Sequence, residues 1–324
     1  MTHAIRFHKT GGPEVLVWEK VELGKPGPGE AKIRHTAVGL NFVDTYYRSG
    51  LYPAQLPSGL GGEGAGVVLE VGPGVTDLKP GDRVAYGNAP LGAYAEERLI
   101  PADRLIKLPD GIDDKTAAAM MLKGLTTQYL IRQTYRVKAG DTILLHAAAG
   151  GVGLILGQWA KHLGATVIGT VGSDEKAKLA QAHGCAHTIV YTREDFVKRV
   201  GEITEGKKVP VVYDSVGKDT FLKSLDCLAP LGFAVLFGAS SGPVEPLNLG
   251  LLAQKGSLYV TRPTLATYAA KRENLVAMAK ELFDVVLSGA VKIEVNQTYP
   301  LKDAAKAQAD LEARKTTGST VLIV

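Results

Sequence analysis

The stretch DTILLHAAAGGVG, residues 141–153, joins a short apolar strand to a glycine turn. In the dinucleotide-binding fingerprint G-x-G-x-x-G, Ala148 takes the first glycine position, and Gly150 and Gly153 take the second and third. Gly150 allows the backbone to approach a pyrophosphate, while Gly153 allows the next helix to pack closely on the strand. The N-terminus of that helix offers N–H groups and a partial positive charge to the anion. The stretch therefore predicts a turn that binds a dinucleotide.

Strands and helices alternate on the C-terminal side of this turn. The predicted strands are 142–145, 166–171, 188–190, 209–214 and 233–237. The predicted helices are 151–163, 174–183, 195–203 and 220–227. Such alternation builds a doubly wound parallel sheet with helices on both faces, which is the Rossmann arrangement of the α/β class.

The chain before residue 115 has a different texture, with short strands between Gly and Pro turns at 4–7, 16–21, 31–38, 66–71, 83–86 and 93–100. This pattern is typical of a β-rich, barrel-like domain. Helical spacing follows at 116–122 and 126–132. The tail, with predicted helices 272–288 and 302–314 and a strand 319–324, does not repeat the strand–helix rhythm. We expect the tail to complete the first domain, so that the predicted segments are 1–123, 124–258 and 259–324.

The composition excludes several classes of protein. The 324 residues are 45% hydrophobic and 22% charged, with a formal net charge of +4, as in an ordinary globular protein. No run of Lys and Arg is interleaved with aromatics, so nucleic-acid binding is not expected. Cys185 and Cys227 lie far apart and outside any metal-type spacing. Neither a signal peptide nor an apolar run of membrane-spanning length, ~20 residues, is recognised, and we expect a cytoplasmic protein with no membrane partner.

The end of the second strand of the α/β region indicates which dinucleotide is bound. NAD-binding domains place an acidic residue there to bind the ribose diol. Here Val171 takes that position, with Ser173 and Lys176 close by. A hydroxyl and an ammonium in place of a carboxylate favour the 2′-phosphate of NADPH. The alternative is that Asp174 or Glu175 turns toward the ribose, although acidic residues in a first helical turn more commonly favour the helix dipole.

At this point the chain resembles the quinone oxidoreductase/zeta-crystallin family. The family's signature stretch is matched by Gly140, Asp141, Leu144, residues 148–151, Gly153, Gln158 and Lys161. The resemblance extends along the chain, through the segments 41–46, 50–53, 123–126, 213–217 and 256–259. It implies a GroES-like catalytic domain interrupted by the Rossmann domain, NADPH as cofactor, and a homodimer.

The resemblance also implies site residues. Asn41 and Tyr46 are expected near the nicotinamide, and Tyr52 is expected as a wall of the quinone pocket. The remaining cofactor contacts are expected from Tyr129, Gly150, Gly151, Val152 and Gly153 at the phosphates, Ser173, Lys176 and Tyr191 at the 2′-phosphate, Val216, Phe237, Gly238 and Ser240 along the nicotinamide side, and Arg314 at the mouth of the cleft.

The zinc ligands of the related alcohol dehydrogenases are not matched. Those enzymes carry a His-Glu pair within a glycine run, and the corresponding run here is GGEGAG, residues 61–66. Gly62 takes the position of the histidine, and neither cysteine is placed to substitute for a ligand. We therefore expect no zinc.

The expected reaction is NADPH-dependent reduction of a quinone, by hydride or by stepwise electron transfer. The Tyr46 or Tyr52 hydroxyl, or the Asn41 amide, is expected to position the acceptor and polarise its carbonyl oxygen. No dedicated general acid is evident, and His146, after a buried strand, is expected to be a core histidine. The alternative is reduction of the C=C bond of an enone or alkenal. A more distant alternative is a non-catalytic role, either NADPH binding as in a crystallin or RNA binding.

Overall fold

A computed structural model describes residues 1–88 and 90–324. Up to residue 129 its elements are β1 (Thr2–Phe7), β2 (Leu16–Val21), β3 (Glu30–Leu40), α1 (Phe42–Ser49), β4 (Ser58–Gly59), β5 (Glu63–Val71), β6 (Arg83–Gly87), β7 (Glu97–Pro101), β8 (Ile106–Lys107) and α2 (Asp114–Tyr129). The elements that follow, up to residue 268, are β9 (Thr142–Leu145), α3 (Gly151–His162), β10 (Thr166–Val171), α4 (Asp174–Ala182), β11 (Cys185–Val190), α5 (Phe196–Ile203), β12 (Val209–Asp214), α6 (Phe221–Ser224), β13 (Leu228–Leu236), α7 (Gly250–Gln254), β14 (Tyr259–Thr261) and α8 (Leu265–Tyr268). The chain ends with α9 (Arg272–Leu287), β15 (Val295–Pro300), α10 (Ala304–Glu312) and β16 (Ser319–Ile323).

The chain divides into two compact units. Unit 1 comprises Met1–Leu125, Ala269–Leu287 and Ile293–Val324, and unit 2 comprises Thr126–Tyr268 with Ser288–Lys292. Unit 1 is therefore built from both ends of the sequence, with unit 2 inserted between them. Its last strand, β16, pairs antiparallel with β3, where Thr320 lies opposite Leu40. This pairing carries the tail back into the first domain, as the sequence predicted.

Unit 1 has a seven-stranded sheet in the order β15-β16-β3-β5-β6-β8, with β7 also pairing with β3, and a smaller sheet β2-β1-β4. Alternate residues of β3, such as Ile33, point into an apolar core that includes Phe7, Tyr94 and Leu322. The pairings of β3 with β5, β7 and β16 are antiparallel, which suits short strands joined by Gly and Pro turns.

Unit 2 has a six-stranded parallel sheet in the order β11-β10-β9-β12-β13-β14. The strand β9, which precedes the glycine turn, lies centrally, with β10 on one side and β12 on the other. The strand order reverses there, and the crevice at such a switch point is where doubly wound sheets bind their ligands. The predicted Rossmann sheet within a GroES-like domain is confirmed.

Several elements differ from the sequence prediction. The two helices predicted at 116–122 and 126–132 are one helix, α2, followed by a π-helical turn over Leu130–Thr134. Gly124 lies inside this helix, where a side chain would not fit. An added Cβ would lie 2.5 Å from the Leu282 side chain. The strand predicted at 93–100 begins at Glu97. The edge strand β14 pairs with β13 of the parallel sheet, and thus lies beyond the boundary drawn at residue 258.

Candidate active site

The glycine turn after β9 packs closely against the helix that it begins. An added Cβ at Gly153 would lie 2.5 Å from the Ala147 carbonyl oxygen and 2.6 Å from that of Ala148. Gly150 is the N-cap of α3, and its N–H donates to the Ala147 oxygen at 2.9 Å. Ala147 itself has a positive φ of 53°. The turn is therefore a cradle that a side chain at residue 153 would fill, as the phosphate-binding fingerprint requires. Gly151 and Val152 form the first turn of α3.

The two acidic residues in the first turn of α4 are both engaged in local hydrogen bonds. Asp174 is paired with Arg193, whose two terminal nitrogens both donate to its carboxylate, with one distance of 2.8 Å. This pairing lowers the pKa of Asp174. A hydrogen bond from the Ser173 side chain contributes to lowering the pKa of Glu175. The alternative in which Asp174 turns toward a ribose would have to break a bidentate ion pair.

The predicted 2′-phosphate residues Ser173, Lys176 and Tyr191 lie in the chain segments at the end of β10. Ser173 is the N-cap of α4 and accepts from the Lys176 N–H at 3.4 Å. Lys176 is half-buried in the first turn of the same helix. The Tyr191 N–H donates to the Val171 oxygen at 3.1 Å, and the Tyr191 hydroxyl lies 3.1 Å from where a Cβ on Gly172 would stand. Ser173, Lys176 and Tyr191 thus belong to the segments that directly follow β10 and β11.

The loops after β12 and β13 are joined by backbone hydrogen bonds. The Val216 N–H donates to Asp214 Oδ1 at 2.8 Å, and the Ser240 N–H donates to the Ser215 oxygen at 3.1 Å. The Phe237 N–H donates to the backbone carbonyl oxygen of Asp214 at 2.8 Å. An added Cβ at Gly238 would lie 2.7 Å from the Ser215 oxygen, so this close approach also requires glycine. Val216, Phe237, Gly238 and Ser240 are thus held together at the carboxyl edge of the sheet.

Tyr129 is the last residue of α2 and directly precedes the π-helical turn. Its ring stacks on Tyr268 at a centroid distance of 4.5 Å and an interplanar angle of 11°. Burial raises the pKa of Tyr129, so its hydroxyl stays protonated and can donate a hydrogen bond at neutral pH. A protonated phenol is the form that binds a phosphate oxygen.

The expected substrate residues of unit 1 form an aromatic cluster at α1. The Tyr46 ring meets that of Tyr52 edge to face at 5.2 Å, and the Tyr52 N–H donates to the Tyr46 oxygen at 3.0 Å. Tyr47 and Phe42 pack against the same pair, at 5.5 Å from Tyr52 and 5.6 Å from Tyr46. The structure therefore brings Tyr46 and Tyr52 together, on one helix and the loop that follows it.

Asn41, at the start of α1, is held by charged groups that sequence reasoning missed. Its Nδ2 donates to Glu63 Oε2 at 2.7 Å, and the Lys123 ammonium donates to the same oxygen at 3.0 Å. The Asn41 N–H donates to Asp44 Oδ2 at 2.9 Å. Burial is the largest cause that raises the pKa of Asp44 to about 7. The only signals in the sequence were a glutamate within the glycine run 61–66 and a lysine within the family segment 123–126.

Arg314 is also in unit 1, just after α10. Its backbone is left-handed, with φ of 59°, and its side chain is exposed. Its N–H donates to the Leu311 oxygen at 3.0 Å, which ends the helix. The predicted site residues thus divide between the units: Asn41, Tyr46, Tyr52 and Arg314 in unit 1, and the other predicted residues in unit 2.

Local contacts describe His146 and the position at which zinc enzymes carry a histidine. Gly62 is buried at the position where a zinc enzyme carries its histidine. Across residues 1–88 and 90–324, no three His, Cys, Asp or Glu side chains are grouped as metal ligands. Both nitrogens of His146 are bonded, to Thr170 Oγ1 and Ser224 Oγ at 2.8 Å each, and burial lowers its pKa. His146 is therefore a core histidine, as expected.

The fold, the glycine turn and the two-domain order define a medium-chain dehydrogenase/reductase. Residues 27–110 match the family model described as the alcohol dehydrogenase GroES-like domain, and residues 151–287 match that of the zinc-binding dehydrogenases. Within this superfamily, the chain belongs to the quinone oxidoreductase family.

Two quinone oxidoreductases carry this assignment, and a third relative has a different name. A quinone oxidoreductase of Pseudomonas aeruginosa is 60% identical, over all of this chain and all of its own length. The Escherichia coli quinone oxidoreductase, solved in complex with NADPH, is 53% identical with a TM-score of 0.98, and the match covers 99% of this chain and 100% of that one. A 2-haloacrylate reductase of a Burkholderia species is 50% identical, over 100% of this chain and 99% of its own.

Proposed function

We propose that the chain reduces quinones with NADPH, using the unit 2 residues identified above for the cofactor and the α1 cluster for the acceptor. The observation that carries this proposal is the end of β10, where Val171 replaces the usual carboxylate and Ser173 and Lys176 stand beside it. The family relationship and the NADPH complex of the Escherichia coli relative support the same cofactor.

The residues present fit the dinucleotide. The cradle at Gly153 and the close approach at Gly238 both keep space free of side chains at the carboxyl edge of the sheet. When bound, NADPH supplies the hydride, or the two electrons in separate steps. Gly150, Gly151 and Val152 would hold the pyrophosphate at the N-terminus of α3, and Tyr129 would donate to a phosphate oxygen. Ser173, Lys176 and Tyr191 would bind the 2′-phosphate.

The remaining residues orient the reactants. Val216, Phe237, Gly238 and Ser240 would line the nicotinamide side, and Arg314 would contribute a further cofactor contact. Asn41 and Tyr46 would contact the nicotinamide, while Tyr52 would form a wall against a flat quinone. A hydrogen bond from the amide N–H or from a phenol O–H to the quinone oxygen stabilises the negative charge that develops on that oxygen. The reduced product takes its protons from water, so this scheme needs no dedicated acid.

Reduction of an activated C=C bond is the second candidate. It is favoured by the 50% identity to a 2-haloacrylate reductase, an enzyme named for an alkene substrate. The same cofactor geometry serves both acceptors, because each is electron-poor and is reduced by the nicotinamide. The quinone gains its hydrogens on oxygen, whereas the alkene gains a hydride on one carbon. Only the alkene then needs a proton at the neighbouring carbon.

We further propose a cytoplasmic homodimer. Cys185 and Cys227 are both free and buried, which suits a reducing compartment. No helix within the described part of the chain is long and apolar enough to cross a membrane. The edge strand β14 exposes Tyr259 and Val260, and Tyr259 stacks on Phe233 at 4.7 Å. An apolar sheet edge of this kind is suited to pairing with a second copy, and light scattering would give the mass.

The test is NADPH oxidation with 1,4-benzoquinone, a naphthoquinone and an α,β-unsaturated ketone, with NADH run in parallel. Lys176→Ala should raise the KM for NADPH about ten-fold and leave that for NADH unchanged, because a charge-assisted bond to phosphate is lost. Lys178→Ala, an exposed lysine of the same helix, is the matched control. Turnover of the ketone alone would move the function to alkene reduction. Equal use of NADH and NADPH by the unmodified protein would contradict the cofactor assignment.

A further inference from the structure

The strongest unexplained feature of unit 1 is a buried ion pair next to Asn41. The Glu63 side chain is fully buried at the start of β5, and Lys123 of α2 is 5% exposed. Their charged atoms lie 3.0 Å apart. Taking two charges out of water costs several kcal/mol each, and replacing such a pair by apolar residues is often neutral or stabilising. Stability alone therefore gives no reason for this pair.

Both oxygens of the Glu63 carboxylate accept hydrogen bonds. Oε1 accepts from the Leu122 N–H at 2.7 Å, inside helix α2. Oε2 accepts from Lys123 at 3.0 Å and from Asn41 Nδ2 at 2.7 Å. The two contacts from α2 hold the carboxylate in place. The third contact lets the carboxylate hold the Asn41 side chain in turn.

The backbone around the carboxylate is shaped to admit it. An added Cβ at Gly39, on the neighbouring strand β3, would lie 2.0 Å from Glu63 Oε2 and 2.4 Å from the Ala118 oxygen. An added Cβ at Gly87, on β6, would lie 2.7 Å from the Leu122 N atom. Two glycines on two strands thus make the space in which Glu63 meets α2 and Asn41.

The bonding of Glu63 decides which way the Asn41 amide faces. A side-chain amide has an oxygen that only accepts and a nitrogen with two N–H donors. A carboxylate that is held by an ammonium accepts and does not donate, so only the NH₂ end of the amide can face it. The amide oxygen and the second N–H are then left for other partners. The N–H of Asn41 is bonded to Asp44 at the same time, so backbone and side chain are both held.

We propose that Glu63 and Lys123 are positioning residues, which hold the Asn41 amide in one orientation for the reacting pair. This inference rests on the proposed function only in giving Asn41 a role beside the nicotinamide. Because Asn41 Nδ2 and the Lys123 ammonium both donate to Glu63 Oε2, the amide has no second orientation of similar energy. Pre-orientation of this kind raises the rate without adding a contact to the substrate.

The first test needs no activity. In protein labelled with [¹⁵N]asparagine, the side-chain NH₂ signal of Asn41 is assigned by its disappearance in Asn41→Ala. Its N–H exchange with solvent should be more than ten-fold slower than that of Asn274, whose side chain is exposed on α9. In the near-isosteric double variant E63Q/K123M, exchange at Asn41 should rise at least ten-fold. Exchange at Asn41 as fast as at Asn274 in the unmodified protein would overturn the proposal.

The second test measures coupling between the pair and Asn41. E63Q/K123M should lower kcat with 1,4-benzoquinone about ten-fold, and Asn41→Ala should do the same. Because both act through one amide, the triple variant should be no slower than Asn41→Ala alone. Losses that multiply to about a hundred-fold would mean independent, merely structural effects and would overturn the proposal.

The matched control is R83M/D114N, which removes another ion pair between a strand and the same helix α2. It contacts neither Asn41 nor Glu63 in the hydrogen bonds that the described residues show, and it should change neither kcat nor Asn41 exchange. A control that lowers kcat as much as E63Q/K123M would also count against positioning. If the unmodified protein reduces no quinone and no alkene, the proposed function fails, and the exchange experiment still decides the orientation of Asn41.

Discussion

Replacing Gly153 by alanine tests the central claim about the glycine turn. The added Cβ would lie 2.5 Å and 2.6 Å from two backbone carbonyl oxygens, and real Cβ atoms essentially never come closer than 3.0 Å. The first turn of α3 must therefore move by at least 0.5 Å away from the Ala147 oxygen. Neither carbonyl belongs to a flexible side chain, so the displacement falls on the turn that is expected to hold the pyrophosphate.

The size of the effect follows from two opposing contributions. Alanine in place of glycine inside a helix stabilises it by about 1 kcal/mol. Overpacking against backbone costs about 1–3 kcal/mol. The matched control is Gly201→Ala in α5, where an added Cβ would meet no heavy atom of the described residues within 4 Å. Both variants gain helix stability, but only Gly153→Ala also pays for overpacking. Their free energies of unfolding should therefore differ by about 2 kcal/mol, or roughly 4–8 °C in Tm for a domain of this size.

The assay is thermal unfolding of both variants without cofactor, followed by fluorescence titration with NADPH. Gly201→Ala should melt above the unmodified protein and bind NADPH with unchanged Kd. Gly153→Ala should melt lower than the control and bind NADPH at least ten-fold more weakly, because the N–H groups of the turn no longer converge on one oxygen. Equal Tm and equal Kd for the two variants would refute the close-packing argument.

Three further predictions concern buried groups of unit 1. Burial lowers the pKa of His35 to about 3, so His35 is neutral when folded. Its stabilising contribution should be lost as pH falls from 6.5 toward 3, and unfolding of His35→Gln should show a weaker acid dependence than that of the unmodified protein. Asp44 has its pKa raised to about 7, so the folded state holds a proton that the unfolded state releases above pH 3.8. The free energy of unfolding therefore falls as pH rises from 3.8 toward 7. In denaturant titrations, the increase in that free energy caused by Asp44→Asn should grow by roughly 4 kcal/mol across the same pH range. Gly39→Ala places a methyl group 2.0 Å from the Glu63 carboxylate and should lower Tm more than Gly201→Ala raises it; an unchanged Tm would mean that the carboxylate relocates freely.

The α/β half of the fold was predictable because its signals are local. The strands β9, β10, β12 and β13 are short, mostly apolar runs, and the helices α3 to α5 begin after turn signals. The spacing of apolar residues therefore changes along the sequence from that of a strand to that of a helix. Helix α1 was missed for the opposite reason. Its residues include Tyr46 and Tyr47, which are weak helix formers, and it is only 8 residues long. Contacts with Tyr52 and the hydrogen bond from Asn41 to Asp44 stabilise it, and these are tertiary or capping effects.

The proximity of Ser173 and Lys176 could be predicted from the sequence, whereas the ion pair could not. Ser173 and Lys176 are three residues apart on one helix turn, so their proximity follows from spacing alone. Glu63 and Lys123 are 60 residues apart, on a strand and a helix of unit 1. Their pairing depends on how α2 crosses the sheet, and that depends on the absence of side chains at Gly39 and Gly87. A single sequence shows the four residues without showing that they meet.

The contacts of Glu63 also explain how a buried charge is accommodated in the glycine run 61–66. This run has no histidine that could bind a metal ion. A carboxylate with no exposure to solvent needs a cation within a few ångströms, because an unpaired buried charge costs 3–5 kcal/mol or more. Lys123 supplies that cation from the same chain, at 3.0 Å. Among the described residues, the groups that the Glu63 carboxylate holds are the Lys123 ammonium, the Leu122 N–H and the Asn41 amide. The carboxylate at this position therefore links α2 to the residue that begins α1.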